Sequence, residues 1–269
     1  MPELPEVETI VRELKRKIIG KKIKNIEIKS AKSFLGNKKK ILGKKINKIG
    51  RRAKIIILQV DSLNLAIHLK MTGQLIYQKS KCKDQNGLKH IRVIIYFSDG
   101  SKLLFNDLRR FGWLKIIDNR EMEKLVKSFG IEPFDKDFTK ENFWQAISKR
   151  KLAIKSALMD QAKIAGVGNI YANEALFCAG IAPQKPATKI SRAKADKLYD
   201  CILKVLKSAI AEKGTSAENY VRTDGSQGQY DRRLLVYGRA GEKCPKCKSK
   251  IKKMKIGGRG SYYCPVCQK

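Results

Sequence analysis

The chain has 269 residues, 42% of them hydrophobic, and carries 59 lysines and arginines against 25 aspartates and glutamates, a formal net charge of +34. That length allows two or three units with a sizeable core, and no stretch approaches the roughly 18 consecutive apolar residues of a membrane span. The cationic excess favours a polyanionic partner, nucleic acid ahead of an anionic membrane surface, although the lysines are spread so widely that charge alone locates no site.

Residues 2 to 8 read Pro-Glu-Leu-Pro-Glu-Val-Glu. If Met1 is removed, Pro2 becomes a terminal secondary amine with a pKa of roughly 8 before any local shift. Such an amine forms an iminium ion on a sugar carbon, and that ion is an electron sink that needs no proton. The same stretch also reads as a helix start. Pro5 suits the first turn, Glu3, Glu6 and Glu8 complement the helix dipole, and Val7, Ile10, Val11, Leu14 and Ile18 recur at helical spacing. Helix formation alone leaves the charge pattern unexplained, because the first eleven residues hold three Glu and no Lys or Arg. This acidic, amphipathic start is not a signal peptide, and the chain is read as cytosolic.

Short strands follow. Lys24 to Lys29, Ala53 to Val60, Leu63 to Leu69, Ile91 to Phe97, Lys102 to Phe105 and Trp113 to Ile117 are apolar or alternating runs, with a hairpin turn at Ser98-Asp99-Gly100. They predict an antiparallel β-sandwich or barrel, with an exposed loop at Lys81 to Leu88. In Asp107-Leu-Arg109-Arg110-Phe111-Gly112, arginines flank a ring at a turn. This is either a packed Phe beside surface arginines or a pair able to enter a duplex, the ring between bases and the guanidinium on a base edge. Met71, in His68-Leu-Lys-Met71-Thr-Gly73, reads as core.

From about Glu121 the period is helical. Helices are predicted from Thr139 to Arg150, Ile154 to Asp160, Asn169 to Cys178 and Ser191 to Lys213. Gly166-Val-Gly168-Asn169 separates two of them. Its amides suit a phosphate, while Asn169 taken alone reads as an N-cap. Residues 214 to 232, rich in Gly, Ser, Thr, Asp and Gln, predict a mobile surface loop.

Cys244-Pro-Lys-Cys247 and Cys264-Pro-Val-Cys267 have the spacing of a closed, structural four-cysteine zinc site. Arg259, after Gly257-Gly258, projects from the tip of the intervening hairpin, amid Lys250, Lys252, Lys253 and Lys255. The remaining cysteines, Cys82, Cys178 and Cys201, are read as small buried or incidental thiols rather than parts of a disulfide framework.

Taken in order, these segments resemble the bacterial formamidopyrimidine-DNA glycosylases along the full length. The markers are Pro-Glu-Leu-Pro-Glu-Val-Glu-Thr at 2 to 9, Arg-Arg-Ala-Lys at 51 to 54, Asp-Leu-Arg-Arg-Phe-Gly at 107 to 112, Gly-Val-Gly-Asn-Ile-Tyr-Ala at 166 to 172, Val-Tyr-Gly-Arg at 236 to 239 and the two CxxC pairs. The resemblance implies a multidomain α+β protein. Residues 1–130 would form a catalytic β-sandwich with its N-terminal helix, 131–235 a helix–two-turn–helix DNA-binding domain, and 236–269 a zinc finger. It implies a bifunctional glycosylase and AP lyase of base-excision repair that removes 8-oxoguanine and formamidopyrimidines and cleaves the strand by β,δ-elimination. Pro2 would be the nucleophile, Glu3 the acid/base, Glu6 a supporting carboxylate, and Lys54 a phosphate-binding catalytic lysine. His68, Asn169, Tyr237 and Arg259 match backbone contacts. Met71, Arg109 and Phe111 match the residues that fill the gap left by the everted base, Lys155 matches a lysine linked to handling of 8-oxoguanine, and 216–229 matches a mobile loop over that base. The implied partner is double-stranded damaged DNA, and the implied cofactor is one structural Zn²⁺ with no small-molecule cofactor. A cytoplasmic, nucleoid-associated monomer completes the expectation. The alternatives are the sister group acting on oxidised pyrimidines and a non-catalytic zinc-ribbon binder of nucleic acid.

Overall fold

The computed structural model describes residues 1–80 and 88–269; Cys82 and the loop expected at Lys81 to Leu88, Leu88 apart, lie outside the described residues. The chain divides into two compact units, Met1–Lys127 with Glu212–Asp231, and Ser128–Ala211 with Arg232–Lys269. By contact, therefore, 212–231 joins the first unit, although in chain order it falls inside the 131–235 stretch.

The first unit opens with α1, Leu4–Ile18, whose apolar stripe is buried from Leu4 to Ile18. Each such aliphatic side chain contributes about 1.5–3 kcal/mol on leaving water. Strands β1 (Ile23–Ile28), β2 (Phe34–Leu35), β3 (Ile46–Arg52), β4 (Ile55–Val60), β5 (Leu63–His68), β6 (Gly73–Gln78), β7 (Ile91–Phe97), β8 (Lys102–Asp107) and β9 (Trp113–Ile117) follow, then the surface helix α2 (Asn119–Lys127). They build a four-stranded sheet in the order β1-β7-β8-β6 and a five-stranded sheet in the order β2-β9-β5-β4-β3. Pairing is antiparallel except for the short parallel contact of β2 with β9, Phe34 opposite Leu114. One apolar core joins both sheets to α1, through Ile10 and Leu14 of the helix, Ile56 and Leu65 of one sheet and Val93 and Phe105 of the other.

Strands β3 and β6 were not expected from the sequence. The β3 run Ile-Asn-Lys-Ile-Gly-Arg-Arg lacks alternation because its register shifts between Ile46 and Lys48. In β6, adjacent Leu75 and Ile76 are both buried, in two different clusters, so one face does not stand out.

The segment predicted as a mobile loop is fastened to α1 and β6. Tyr220 is buried in the main core. The Glu13 carboxylate accepts from Thr223 N–H at 3.0 Å, from its hydroxyl at 2.7 Å and from Arg222 Nε at 2.7 Å. Tyr77 N–H donates to Thr223 O at 2.8 Å, and Gln74 Nε2 to Asn219 O at 2.8 Å. The polar composition that suggested mobility is spent on these bonds.

The second unit holds α3 (Lys140–Ser148), α4 (Ile154–Met159), α5 (Asn169–Ala179), α6 (Arg192–Ala211) and the hairpin β10 (Lys252–Ile256) with β11 (Arg259–Tyr263). Thr139 caps α3, its hydroxyl accepting from Asn142 N–H. Helix α5 is buried almost all round, as befits the centre of a helical core. A cluster of Phe177, Val236, Cys244, Ile251 and Cys264 carries that core into the cysteine module.

A disulfide links Cys178 of α5 to Cys201 of α6, correcting the expectation of two incidental thiols. The pair closes a loop spanning 23 positions, for which chain entropy gives about 3 kcal/mol. Reduction with a phosphine is expected to lower the melting temperature of the wild type and leave that of Cys178→Ala/Cys201→Ala unchanged. Equal melting of oxidised and reduced wild type would contradict this.

Candidate functional site

Glu3 is the N-cap residue of α1 and shares a capping box with Glu6. Glu6 Oε2 accepts Glu3 N–H at 2.8 Å and Oε1 accepts Thr215 N–H at 2.9 Å. One carboxylate thus ties the chain start to the returning segment. Both glutamates are 1% exposed and stand at the helix N-terminus, whose dipole favours negative charge. Pro2, just before the pair, is buried, and the Met1 ammonium pairs with Glu218.

Helix α1 packs on β3 and β4, and Glu8 fixes that contact by accepting from Arg51 Nε at 2.8 Å. Lys54 follows β3 and is nearly buried. It stands beside Ile55, whose strand partner is His68. Burial, with the charges of Lys70 and Lys54, pushes the His68 pKa down to about 3. The ring is therefore neutral at pH 7, with Nδ1 accepting Lys70 N–H at 2.9 Å.

Met71, Arg109 and Phe111 come together from two loops, β5–β6 and β8–β9. Arg109 Nη1 lies 3.1 Å from Met71 Sδ, and the guanidinium sits 4.9 Å from the Phe111 ring centre. Phe111 is 52% exposed, so of the two readings of this ring the packed one does not hold. Met71 is half-buried, outside the core to which it was assigned.

In the second unit the N-cap of α5 is Gly168, and Asn169 is the first helical residue. The expected cap bond from Asn169 is absent; its Oδ1 is buried with no hydrogen-bond partner among the described residues. The turn before it is pinned by Gln161, which accepts Gly166 N–H at 2.9 Å and donates to Val167 O at 2.8 Å. Asn169, Tyr237, Lys253, Lys255, Gly258 and Tyr262 line an open cavity of 530 Å³. Lysines, a helix N-terminus and a tyrosine make that cavity suited to a phosphate backbone. Arg259 is exposed beside the Gly257-Gly258 turn, whose φ values of +54° and +76° suit the tight hairpin.

Lys155 is placed otherwise than the DNA-facing position that the resemblance implied. It is 0% exposed, and its ammonium donates to Gly260 O and Ser261 Oγ, both at 2.7 Å. It therefore fastens α4 to β11. Two neighbours that sequence reasoning missed act alike. Asn173 Oδ1 accepts Tyr262 N–H at 2.8 Å, and buried Glu174 accepts the N–H groups of Leu235, Val236 and Tyr237 at 2.9, 3.0 and 2.8 Å. Glu174→Ala would orphan three amides, and one buried unpaired donor costs about 1–3 kcal/mol. Only the Val236 bond is fully buried, so the expected loss is at least about 1 kcal/mol, checked by chemical denaturation; a midpoint within error of wild type would contradict it.

The Sγ atoms of Cys244, Cys247, Cys264 and Cys267 all lie within 4.8 Å of one another. The Cys247–Cys264 and Cys244–Cys267 separations are 3.4 and 3.9 Å. A tetrahedron with Zn–S bonds of about 2.3 Å has sulfur–sulfur edges of about 3.8 Å, so the donor set fits one structural zinc.

Family models match the formamidopyrimidine-DNA glycosylase N-terminal domain over residues 1–114, the formamidopyrimidine-DNA glycosylase H2TH domain over 129–220, and the zinc finger found in FPG and IleRS over 241–269. The formamidopyrimidine-DNA glycosylase of Pelotomaculum thermopropionicum is 41% identical, the match covering 100% of this chain and 99% of that one. Lactococcus lactis Fpg, solved with DNA containing an abasic site, superposes with a TM-score of 0.91 at 36% identity over 100% of both chains. The same protein solved with DNA containing an oxidized pyrimidine gives 0.90 at 36%, again over 100% of both. The chain belongs to the formamidopyrimidine-DNA glycosylase family.

Proposed function

We propose that this chain is a bifunctional DNA glycosylase and AP lyase acting on oxidised purines, 8-oxoguanine and formamidopyrimidines, in duplex DNA. The observation that carries the reading is the buried pair Glu3 and Glu6, joined by a hydrogen bond directly after buried Pro2 at the start of α1.

With Met1 removed, the Pro2 nitrogen attacks C1′ of the damaged nucleoside. The glycosidic C–N bond breaks, and the base leaves with its bonding electrons and a proton. Glu3 protonates the opening ring oxygen, giving the iminium. Loss of a C2′ proton expels the 3′ phosphate, a second elimination expels the 5′ phosphate, and water then hydrolyses the link to Pro2. Glu6 holds the Glu3 backbone, and Lys54 binds phosphate near the lesion. Eversion of the base costs a few kcal/mol, which Met71, Arg109 and Phe111 offset by filling the gap, Arg109 pairing with the orphaned cytosine. His68, Asn169, Tyr237 and Arg259 hold the backbone, and Lys155 acts through the hairpin. The functional division is 1–130, 131–235 and 236–269. The enzyme works as a cytoplasmic, nucleoid-associated monomer without a small-molecule cofactor; no helix among the described residues is long and apolar enough to cross a membrane.

The relative bound to an oxidized pyrimidine keeps a second substrate class in view. Borohydride trapping with 8-oxoguanine:cytosine and dihydrouracil duplexes in parallel tests the assignment. The expected result is a faster adduct with 8-oxoguanine; a faster one with dihydrouracil assigns the pyrimidine class, and none with either removes the enzymatic reading.

A further inference from the structure

Met71, Arg109 and Phe111 stand on two loops and make no use of the core. Phe111 and its neighbour Leu108 are 52% and 54% exposed. Side chains that must replace a base inside a stack need a fixed geometry before the duplex arrives. The source of that rigidity is one buried carboxylate at the end of β8.

Asp107 is 0% exposed and Thr72 5%. One Asp107 oxygen accepts the Thr72 hydroxyl, and the other accepts Gly112 N–H at 2.8 Å. The Thr72 oxygen in turn accepts Arg109 N–H at 3.0 Å. Thr72 follows Met71 directly, and Gly112 follows Phe111, so a closed ring of hydrogen bonds reaches the backbone beside all three side chains. The ring is anchored from behind: Asp107 N–H donates to His90 O at 2.9 Å, and Arg92 Nε donates to Asp107 O at 2.8 Å. The fit is close. A Cβ at Gly112 would lie 2.6 Å from Phe105 Cζ and 3.0 Å from His68 O, so any side chain there would push the loop off its seat.

We propose that Asp107 and Thr72 are positioning residues that lock the two loops into one rigid wedge, and that the lock sets both the efficiency of base eversion and the choice of base opposite the lesion. Neither residue is exposed enough to meet DNA, so each acts through Met71, Arg109 and Phe111. The proposal rests on the assignment of those three residues given above.

The test compares wild type with Thr72→Val, which keeps the shape and loses the hydroxyl, and Thr72→Ser, which restores it. Single-turnover excision of 8-oxoguanine is measured opposite cytosine and opposite adenine, beside cleavage of a single-stranded abasic oligonucleotide that needs no wedge. Thr72→Val removes both hydrogen bonds of the hydroxyl and is expected to slow duplex excision about tenfold or more. It should also compress the cytosine-to-adenine ratio and leave single-strand cleavage unchanged, and Thr72→Ser should recover both duplex readouts. The ratio does not depend on how much of a variant is folded. An unchanged ratio in Thr72→Val, or equal losses on all three substrates, overturns the lock. Arg109→Ala separates the two levels. If it leaves the ratio unchanged, the wedge assignment itself fails; if it changes the ratio while Thr72→Val does not, only the lock fails.

Discussion

Protein that retains Met1, or carries any extension before Pro2, is expected to form no covalent adduct with damaged DNA and to lose excision by at least about 10³-fold, roughly 4 kcal/mol of transition-state stabilisation. In either form the Pro2 nitrogen is an amide, its lone pair is delocalised into the carbonyl, and it has no basicity to offer a sugar carbon. Lysine is a poor substitute at neutral pH because its pKa of roughly 10.4 leaves little free amine. Affinity for an uncleavable abasic analogue should change far less, because the Asn169–Tyr237–Lys253 cavity and the hairpin lie elsewhere in the chain. Processed and unprocessed protein, separated by intact mass, give the comparison directly. Equal excision rates would show that the terminal amine is not the nucleophile.

Removal of zinc is expected to have the second large effect. Four thiolates brought within 4.8 Å repel one another without a cation, and binding free energies of structural zinc run to about 10 kcal/mol or more. The far edge of β11 is tied to the helices by Lys155 and Asn173, but the module's own apolar core is small. That core is Val236, Ile251 and two of the cysteines themselves, set against Phe177 of α5. Losing the metal therefore loosens β10 and β11 and displaces Arg259, Lys253 and Lys255 together. Chelation, or Cys264→Ser, is expected to weaken DNA binding at fixed salt by about 10²-fold or more, since several phosphate contacts are lost at once. Readdition of zinc should restore binding after chelation, and apoprotein that binds with unaltered affinity would contradict this account. Bond breaking needs no metal, so residual excision at saturating protein should fall much less than affinity.

What could be read from the chain divides along physical lines. The stripe of α1 announces itself by its period, and β4, β5, β7 and β9 by apolar, β-branched runs that the sheets bury. Strand β3, interrupted by its register shift, and β6, covered on both sides, carry no such signal. The cysteine module was legible because metal coordination fixes local spacing. The pairing of Cys178 with Cys201 was not, because it depends on α5 lying against α6. The acidic start of the chain stood out against a basic background, whereas the duties of Asp107, Lys155 and Glu174 are set by amides and hydroxyls that the fold delivers from distant positions. Asn169 shows the cost of a local rule. A cap residue was a fair expectation at a helix start, but the helix begins one residue earlier than a cap at 169 requires, and Gly168 takes that place.

Peptide mapping of the borohydride-reduced complex tests the central claim most directly. After trapping on an 8-oxoguanine duplex, nuclease trimming and proteolysis, fragmentation spectra should place the residual deoxyribose on the nitrogen of Pro2 in a peptide that lacks Met1. A modification on Lys54, or on any other amine, would contradict the account.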